Sequence, residues 1–271
     1  MMMRGHRWLA ALARTAAPVP GAWRLSSFVD RLTPRTGTLV VSLFGLPFTL
    51  DLSDYMQRSI YAGGYELGET VLVKAHVKRG MTVVDIGANV GYYTALAAKL
   101  VGHSGRVLAF EPSPSAFSKL QGMVKGRCDH VRLFNVALGS CEGSLTLYHP
   151  PGDEHNLNPS MYQYRQGMVG VTVPVTTLDS VLDAIERVDF LKIDVEGYEP
   201  LVFKGAIKSL ESGKIRNILY ESNPRMLSLA NNSAQELYKQ LTSLGYRESA
   251  RMTHGASEDD GYADRLMTLD A

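Results

Sequence analysis

Along the chain, short β-branched and apolar runs alternate with longer stretches of helical spacing, the rhythm of strand and helix in turn. Thr82-Val83-Val84-Asp85-Ile86 reads as a buried strand, Gly87 to Gly91 as a turn with two glycines four residues apart, and Thr94 to Leu100 as a helix. The unit recurs with the strand Arg106 to Glu111 and a helix over Ala116 to Lys125, which the serines Ser113 and Ser115 can cap. A third strand, Val131 to Leu138, closes on Gly139. From residue 178 onward the pattern predicts a helix over Leu178 to Ile185, a strand over Val188 to Val195 and a helix over Tyr198 to Leu210. A strand over Ile215 to Glu221, a helix over Ala234 to Leu244 and a closing hairpin of Tyr246 to Met252 with Arg265 to Leu269 follow. The fold class predicted is α/β: a doubly wound sheet, mostly parallel, with an antiparallel C-terminal hairpin.

Two regions break the rhythm. Residues 1–37 form a leader punctuated by Pro18, Pro20, Gly21 and Pro34, with room for two short helices. The main domain then spans 38–271, beginning with a hairpin of Thr38 to Leu43 and Pro47 to Leu52 and a helix over Leu67 to Val77. Within it, residues 143–177 alternate as antiparallel strands around a long polar stretch, Pro150 to Gly167; loops of this length are usually functional, so this insertion is read as facing the substrate.

Composition narrows the classes. A chain of 271 residues with 45% hydrophobic content can bury one sizeable core. The formal net charge of +1 gives no global argument for nucleic acid, and none is expected as a partner. The two cysteines, Cys128 and Cys141, lie outside any metal or CxxC spacing, fitting reduced thiols and a cytoplasmic location. In the leader, however, Arg4, Arg7, Arg14, Arg24, Arg31 and Arg35 face the single acid Asp30 and interleave with Trp8, Trp23 and Phe28. Such a segment can lie on an anionic membrane or dock on a partner enzyme; the other reading is a leader helix packed on the core.

The turn after the first strand selects a ligand. A dinucleotide site would read G-x-G-x-x-G with a helix start aimed at a pyrophosphate. Here Asp85 lies at the base of the turn, where it would repel phosphate and suit a cationic ligand such as S-adenosyl-L-methionine. Glu111, 24 residues beyond Gly87 and at the end of the next strand, is placed to accept hydrogen bonds from both ribose hydroxyls. Asn135 stands where an adenine contact or a turn-stabilising amide is useful. Glu66, just before a helix, could cover the cofactor or simply start that helix.

Four blocks carry a family resemblance: Gly64-Tyr65-Glu66, the stretch Val84 to Thr94, Phe110-Glu111-Pro112, and Leu191-Lys192-Ile193-Asp194-Val195-Glu196-Gly197-Tyr198-Glu199. Through them the chain resembles the FkbM family of S-adenosylmethionine-dependent methyltransferases. The resemblance implies a class I methyltransferase (Rossmann-like) fold and O-methylation of a small-molecule or glycosyl acceptor, typically a sugar, glycolipid or polyketide-type metabolite. It places the cofactor against Glu66, Asp85, Gly87, Ala88, Asn89, Gly91, Tyr92, Glu111, Pro112, Ser113, Asn135, Ala137 and Asp194. Family members often carry Glu-x-His where this chain has Glu221-Ser222-Asn223; if that histidine is the family's proton acceptor, this chain must use another group.

An alcohol is a poor nucleophile, so methyl transfer to it calls for a base or a metal. In the strand order the fold implies, Asp85, Asp194 and Glu221 end neighbouring strands and should crowd one edge of the sheet. Like charges raise at least one proton affinity, as suits a base, and an oxygen-only set also suits Mg²⁺ on Asp194 and Glu221. Lys192 shares a face with Asp194 and can neutralise it or act with it. His155 in the insertion is a second candidate base, and Tyr148, Tyr162 and Tyr164 could stack on a sugar face. Glu196 is either functional or a helix-start acid. A nicotinamide-dependent oxidoreductase, or a scaffold recruited through the leader, are the alternatives to an O-methyltransferase.

Overall fold

The structure, a computed structural model, describes residues 9–13, 22–150, 159–253 and 262–270. Two compact units divide the chain near residue 75. The first holds a helical stretch over 9–13, helix α1 (Ala22–Leu32), the hairpin β1 (Thr38–Leu43) and β2 (Leu46–Asp51), and helix α2 (Tyr55–Ala62). Helix α3 (Leu67–His76) runs to the boundary. Arg58 binds this unit together: its guanidinium, 7% exposed, donates to Asp30 at 3.1 Å and to the carbonyls of Leu52 and Ser53. Asp54 caps α2 by accepting from the Gln57 amide. The α1 part of the leader is therefore anchored in its unit through Asp30.

In the second unit the chain runs β3 (Thr82–Ile86), α4 (Tyr92–Val101), β4 (Arg106–Phe110), α5 (Pro114–Val124), β5 (Val131–Phe134), β6 (Ala137–Leu138), β7 (Gly143–His149) and β8 (Val169–Thr176). It continues with α6 (Leu178–Val181), β9 (Phe190–Ile193), α7 (Glu199–Lys204), α8 (Ile207–Glu211), β10 (Asn217–Ser222), α9 (Pro224–Leu229), α10 (Ala234–Ser243), β11 (Tyr246–Thr253) and β12 (Ala263–Leu269). Seven strands make one sheet in the order β5-β4-β3-β9-β10-β12-β11. The five strands from β5 to β10 are parallel, and β12 and β11 are antiparallel. This is the expected class I methyltransferase, Rossmann-like arrangement.

The central strands read as apolar runs because both faces are covered. Val84, Ile86, Leu108, Phe110, Leu191, Ile193 and Ile218 pack with Val202, Phe203, Leu237 and Leu241 in one buried cluster. Strand order reverses between β3 and β9, and such a switch point leaves a crevice at the strands' carboxyl ends. The turn after Ile86 and the acidic block after Ile193 meet there.

Several expectations are corrected. The strand expected over Val131 to Leu138 divides: β5 stays in the large sheet, while β6 joins β8 and β7 in a separate three-stranded sheet. Between them the Asn135 side-chain amide donates to the carbonyls of Glu111 and Pro112, turning the chain out of the large sheet. The helix expected over Tyr198 to Leu210 is two helices that part at Gly205, where a side chain would collide with the Gly139 carbonyl. The helix from Leu178 ends at Val181, after which Leu182 and Ile185 turn inward as buried residues. Helix α5 starts at Pro114 with Ser113 before it, two residues earlier than expected. Helix α9 was not anticipated; Asn223 caps it by accepting from the Met226 amide.

Candidate active site

The turn after β3 is held by the protein's own groups. The amides of Gly87 and Ala88 both donate to the Phe110 carbonyl at 3.0 Å, that of Gly91 to Ala88 at 2.8 Å, and that of Asn89 to Glu111 Oε2 at 2.7 Å. These four N–H groups are thus spent internally, which does not suit a pyrophosphate cradle. The glycines answer to packing. A Cβ on Gly87, whose φ is +80°, would collide with the Asp194 carbonyl, and one on Gly91 would press on Leu120 and Met123. Bare backbone at Gly87 lets the two halves of the switch point close on each other.

Asp85 lies beneath the turn, 2% exposed. Its Oδ2 accepts from the Thr94 hydroxyl at 2.6 Å, while Oδ1 is buried with no hydrogen-bond partner among the described residues. Burial raises its proton affinity, and the charge of Lys192 opposes that rise. Glu111, at the end of β4, accepts from the Asn89 amide through Oε2 and the Ser113 amide through Oε1, both at 2.7 Å. Burial lifts its pKa to about 7, against those two hydrogen bonds. Each of its oxygens keeps a second lone pair. A buried acid with an oxygen unpartnered among the described residues beneath the turn and a second acid one strand over fit S-adenosylmethionine, whose charges are a sulfonium and an ammonium beside its carboxylate.

Across the switch point stands a group of carboxylates. Oxygens of Asp194, Glu196 and Glu221 all lie within 4.8 Å of one another. Asp85, expected at the same edge, feels the charge of Asp194 but stands outside this trio: it is paired in register with Lys192 and bonded to Thr94, and Glu196 takes the third place. Glu196 adopts a left-handed φ of +52° ahead of α7, so it is not that helix's starting acid. Lys192 donates to Asp194 Oδ2 at 3.0 Å and its ammonium lies 4.5 Å from the centre of the Tyr93 ring. Glu221 Oε1 accepts from the Tyr262 hydroxyl at 2.8 Å, and its Oε2 is buried without a partner among the described residues. Burial first, then the charges of Asp194, Glu196 and Glu199, push the Glu221 pKa well above the usual carboxylate range.

Of the other expected residues, Asn135 spends its amide on backbone carbonyls, and the Ala137 methyl is buried with Leu147 and Val173 in the small sheet. Ala88 is buried within the turn, and Tyr92 opens α4 with its ring 5.2 Å from that of Tyr93. Pro112 lends its carbonyl to Asn135. Glu66, with a φ of +38°, precedes α3 in the first unit. His155 lies outside the described residues. The insertion reaches the acidic block through Tyr162, whose ring centre is 6.0 Å from that of Tyr198.

Sequence reasoning missed Glu199 and Tyr262 as parts of the site. Glu199 Oε1 accepts from the amides of Val195 and Gly197, while Oε2 is buried with no partner among the described residues. Burial raises its pKa from 4.5 to about 8. A carboxyl whose folded pKa exceeds its unfolded one adds stability below the unfolded value and loses it as pH rises through the folded one. Glu199→Gln, which cannot ionise, is therefore expected to gain on the parent between pH 5 and pH 9, by on the order of 3 kcal/mol. Urea unfolding of both proteins at the two pH values checks this; an identical difference at both would refute it.

A family profile described as the methyltransferase FkbM domain matches residues 85–248. Methyltransferase sdnD of Sordaria araneosa is 29% identical, over 52% of this chain and 65% of its own length. Methyltransferase 1 of Beauveria bassiana is 33% identical, over 45% and 57%. The crystal structure of a methyltransferase FkbM from Methylobacillus flagellatus superposes with a TM-score of 0.47 at 16% identity, covering 80% of this chain and 55% of that one. The chain thus spans less than two thirds of the length of each.

Proposed function

Because the chain belongs to the FkbM methyltransferase family, we propose that it transfers the methyl group of S-adenosylmethionine to a hydroxyl of a sugar, glycolipid or polyketide-type metabolite. The observation that carries the oxygen acceptor is the pairing of Asp194 with Glu221 at the carboxyl ends of adjacent parallel strands, across the switch point from the turn. When bound, S-adenosylmethionine supplies an electrophilic methyl on sulfur. Asp85 under the turn favours the positive end of that molecule, and ionised Glu111 accepts from its ribose hydroxyls. Lys192 holds the Asp194 carboxylate in place, and Asp194, its side chain 26% exposed, takes the proton of the acceptor hydroxyl. Glu196 and Glu221 stand beside it, their oxygens within 4.8 Å of its own.

A second reading is favoured by the all-oxygen character of the same cluster: Mg²⁺ held by Asp194 and Glu221, orienting the hydroxyl. The test of both is transfer of labelled methyl from S-adenosylmethionine to a panel of glycosides and polyketide alcohols, with the product bond assigned by NMR. Methylated oxygen is expected, and methylation confined to nitrogen or carbon would refute it. Activity unchanged by exhaustive chelation and by added Mg²⁺ removes the metal reading and leaves the base.

The internal use of the turn's amides stands against the nicotinamide alternative. We also propose that the leader contacts an anionic membrane surface or a partner enzyme. Its Trp23, Phe28 and Leu32 are exposed beside Arg24, Arg31 and Arg35, and no helix among the described residues is long and apolar enough to cross a membrane.

A further inference from the structure

At the opposite end of the large sheet, where β4 and β5 begin, two loops bring His103, Asp129 and His130 together. One imidazole Nδ1, that of His103, lies 3.3 Å from Asp129 Oδ1, and the other, that of His130, lies 3.5 Å from the same oxygen. The three ligand atoms are within 4.8 Å of one another. His130 Nε2 is 3.1 Å from the Ala98 carbonyl. A carbonyl only accepts, so Nε2 carries the hydrogen and a neutral His130 ring presents its Nδ1 lone pair to the carboxylate. Facing the carboxylate, that lone pair takes either a proton, which makes the ring an imidazolium, or a metal ion.

The spacing names the cation. Ligand atoms each ~2.0–2.1 Å from a tetrahedral centre sit roughly 3.3–3.4 Å apart, close to both nitrogen–oxygen distances found here. Two imidazoles and one carboxylate suit Zn²⁺ and disfavour Mg²⁺ or Ca²⁺, which take oxygen ligands. A histidine whose other ring nitrogen donates to a backbone carbonyl is in the arrangement that zinc ligands usually adopt. The loops are fixed as well: the His130 carbonyl accepts from the Val107 amide at 3.0 Å, and the Gly102 and Gly105 amides bond on either side of His103. We propose that His103, Asp129 and His130 form a Zn²⁺ site, with water completing the coordination, that staples the α4–β4 turn to the start of β5.

Calorimetric titration of the full chain with Zn²⁺ at pH 7.5 tests this, with thermal unfolding as a second readout. Saturable binding of one ion, unaffected by excess Mg²⁺, and a rise of several degrees in Tm are expected. His103→Ala and Asp129→Asn alter side chains 82% and 87% exposed, so the fold should persist while Zn²⁺ affinity falls at least tenfold. Asp194→Asn should keep the site. Absence of one-to-one binding, indifference to both loop substitutions, or loss of binding in Asp194→Asn would overturn the proposal. None of these outcomes depends on methyl transfer.

Discussion

Asp194→Asn is expected to lower kcat by about a thousandfold, within the range that loss of a positioned general base produces. Asparagine keeps the shape of aspartate and an oxygen for the Lys192 ammonium, now 3.0 Å from Asp194 Oδ2, but it cannot take a proton. Tm should therefore move by only a few degrees while turnover collapses. Steady-state methyl transfer, measured with thermal unfolding of the same preparation, separates the two quantities. Activity within threefold of the parent would move the proton acceptor off Asp194 and return His155 to consideration.

Gly87→Ala carries the largest expected loss of stability. At this residue φ is +80°, and an added methyl would run into the Asp194 carbonyl. The obstacle is backbone, and it is tied on both sides: the Asp194 amide donates to Ile86 at 3.1 Å and the Gly87 amide to Phe110 at 3.0 Å. Unfavourable backbone conformation and overpacking together should cost about 4 kcal/mol. In a chain of this size that corresponds to a fall in Tm of about 10 °C. Gly122→Ala is the matching control, since it lies inside α5 with nothing within 4 Å of the added methyl. There a gain of about 0.5–1 kcal/mol is expected from helix propensity. Equal effects at the two positions would refute the packing role of Gly87.

What the sequence made legible follows the range of each interaction. The β3–turn–α4 unit was readable because β-branched run, glycines and helix lie within twenty residues. The Lys192–Asp194 contact was readable too, because residues two apart in a strand share a face. Asn135 illustrates the limit: nothing near it announces that its amide will bond the carbonyls of Glu111 and Pro112 and take the chain out of the large sheet. Gly205 is similar, its need for bare backbone set by Gly139 far away in sequence.

The candidate site divides in the same way. Asp194 and Glu221 could be paired from strand order, yet Tyr262, which donates to Glu221 across 41 positions, had no local signal. Of the two readings open for Glu196, it takes the first and joins the carboxylate group, while Glu199 is the helix-start acid and receives the amides of Val195 and Gly197. Three residues apart at the start of one short helix, they were distinguishable only by backbone conformation. The Gly87 to Gly91 turn likewise reads as a ligand loop from sequence. Its glycines serve contacts with Asp194, Leu120 and Met123, so a cofactor would meet the surface they allow to form.

Calorimetric titration of the purified chain with S-adenosylhomocysteine tests the central claim most directly. One-to-one binding is predicted, with no heat from NAD⁺, NADH or their phosphorylated forms. Binding of a nicotinamide nucleotide with no response to S-adenosylhomocysteine would contradict it.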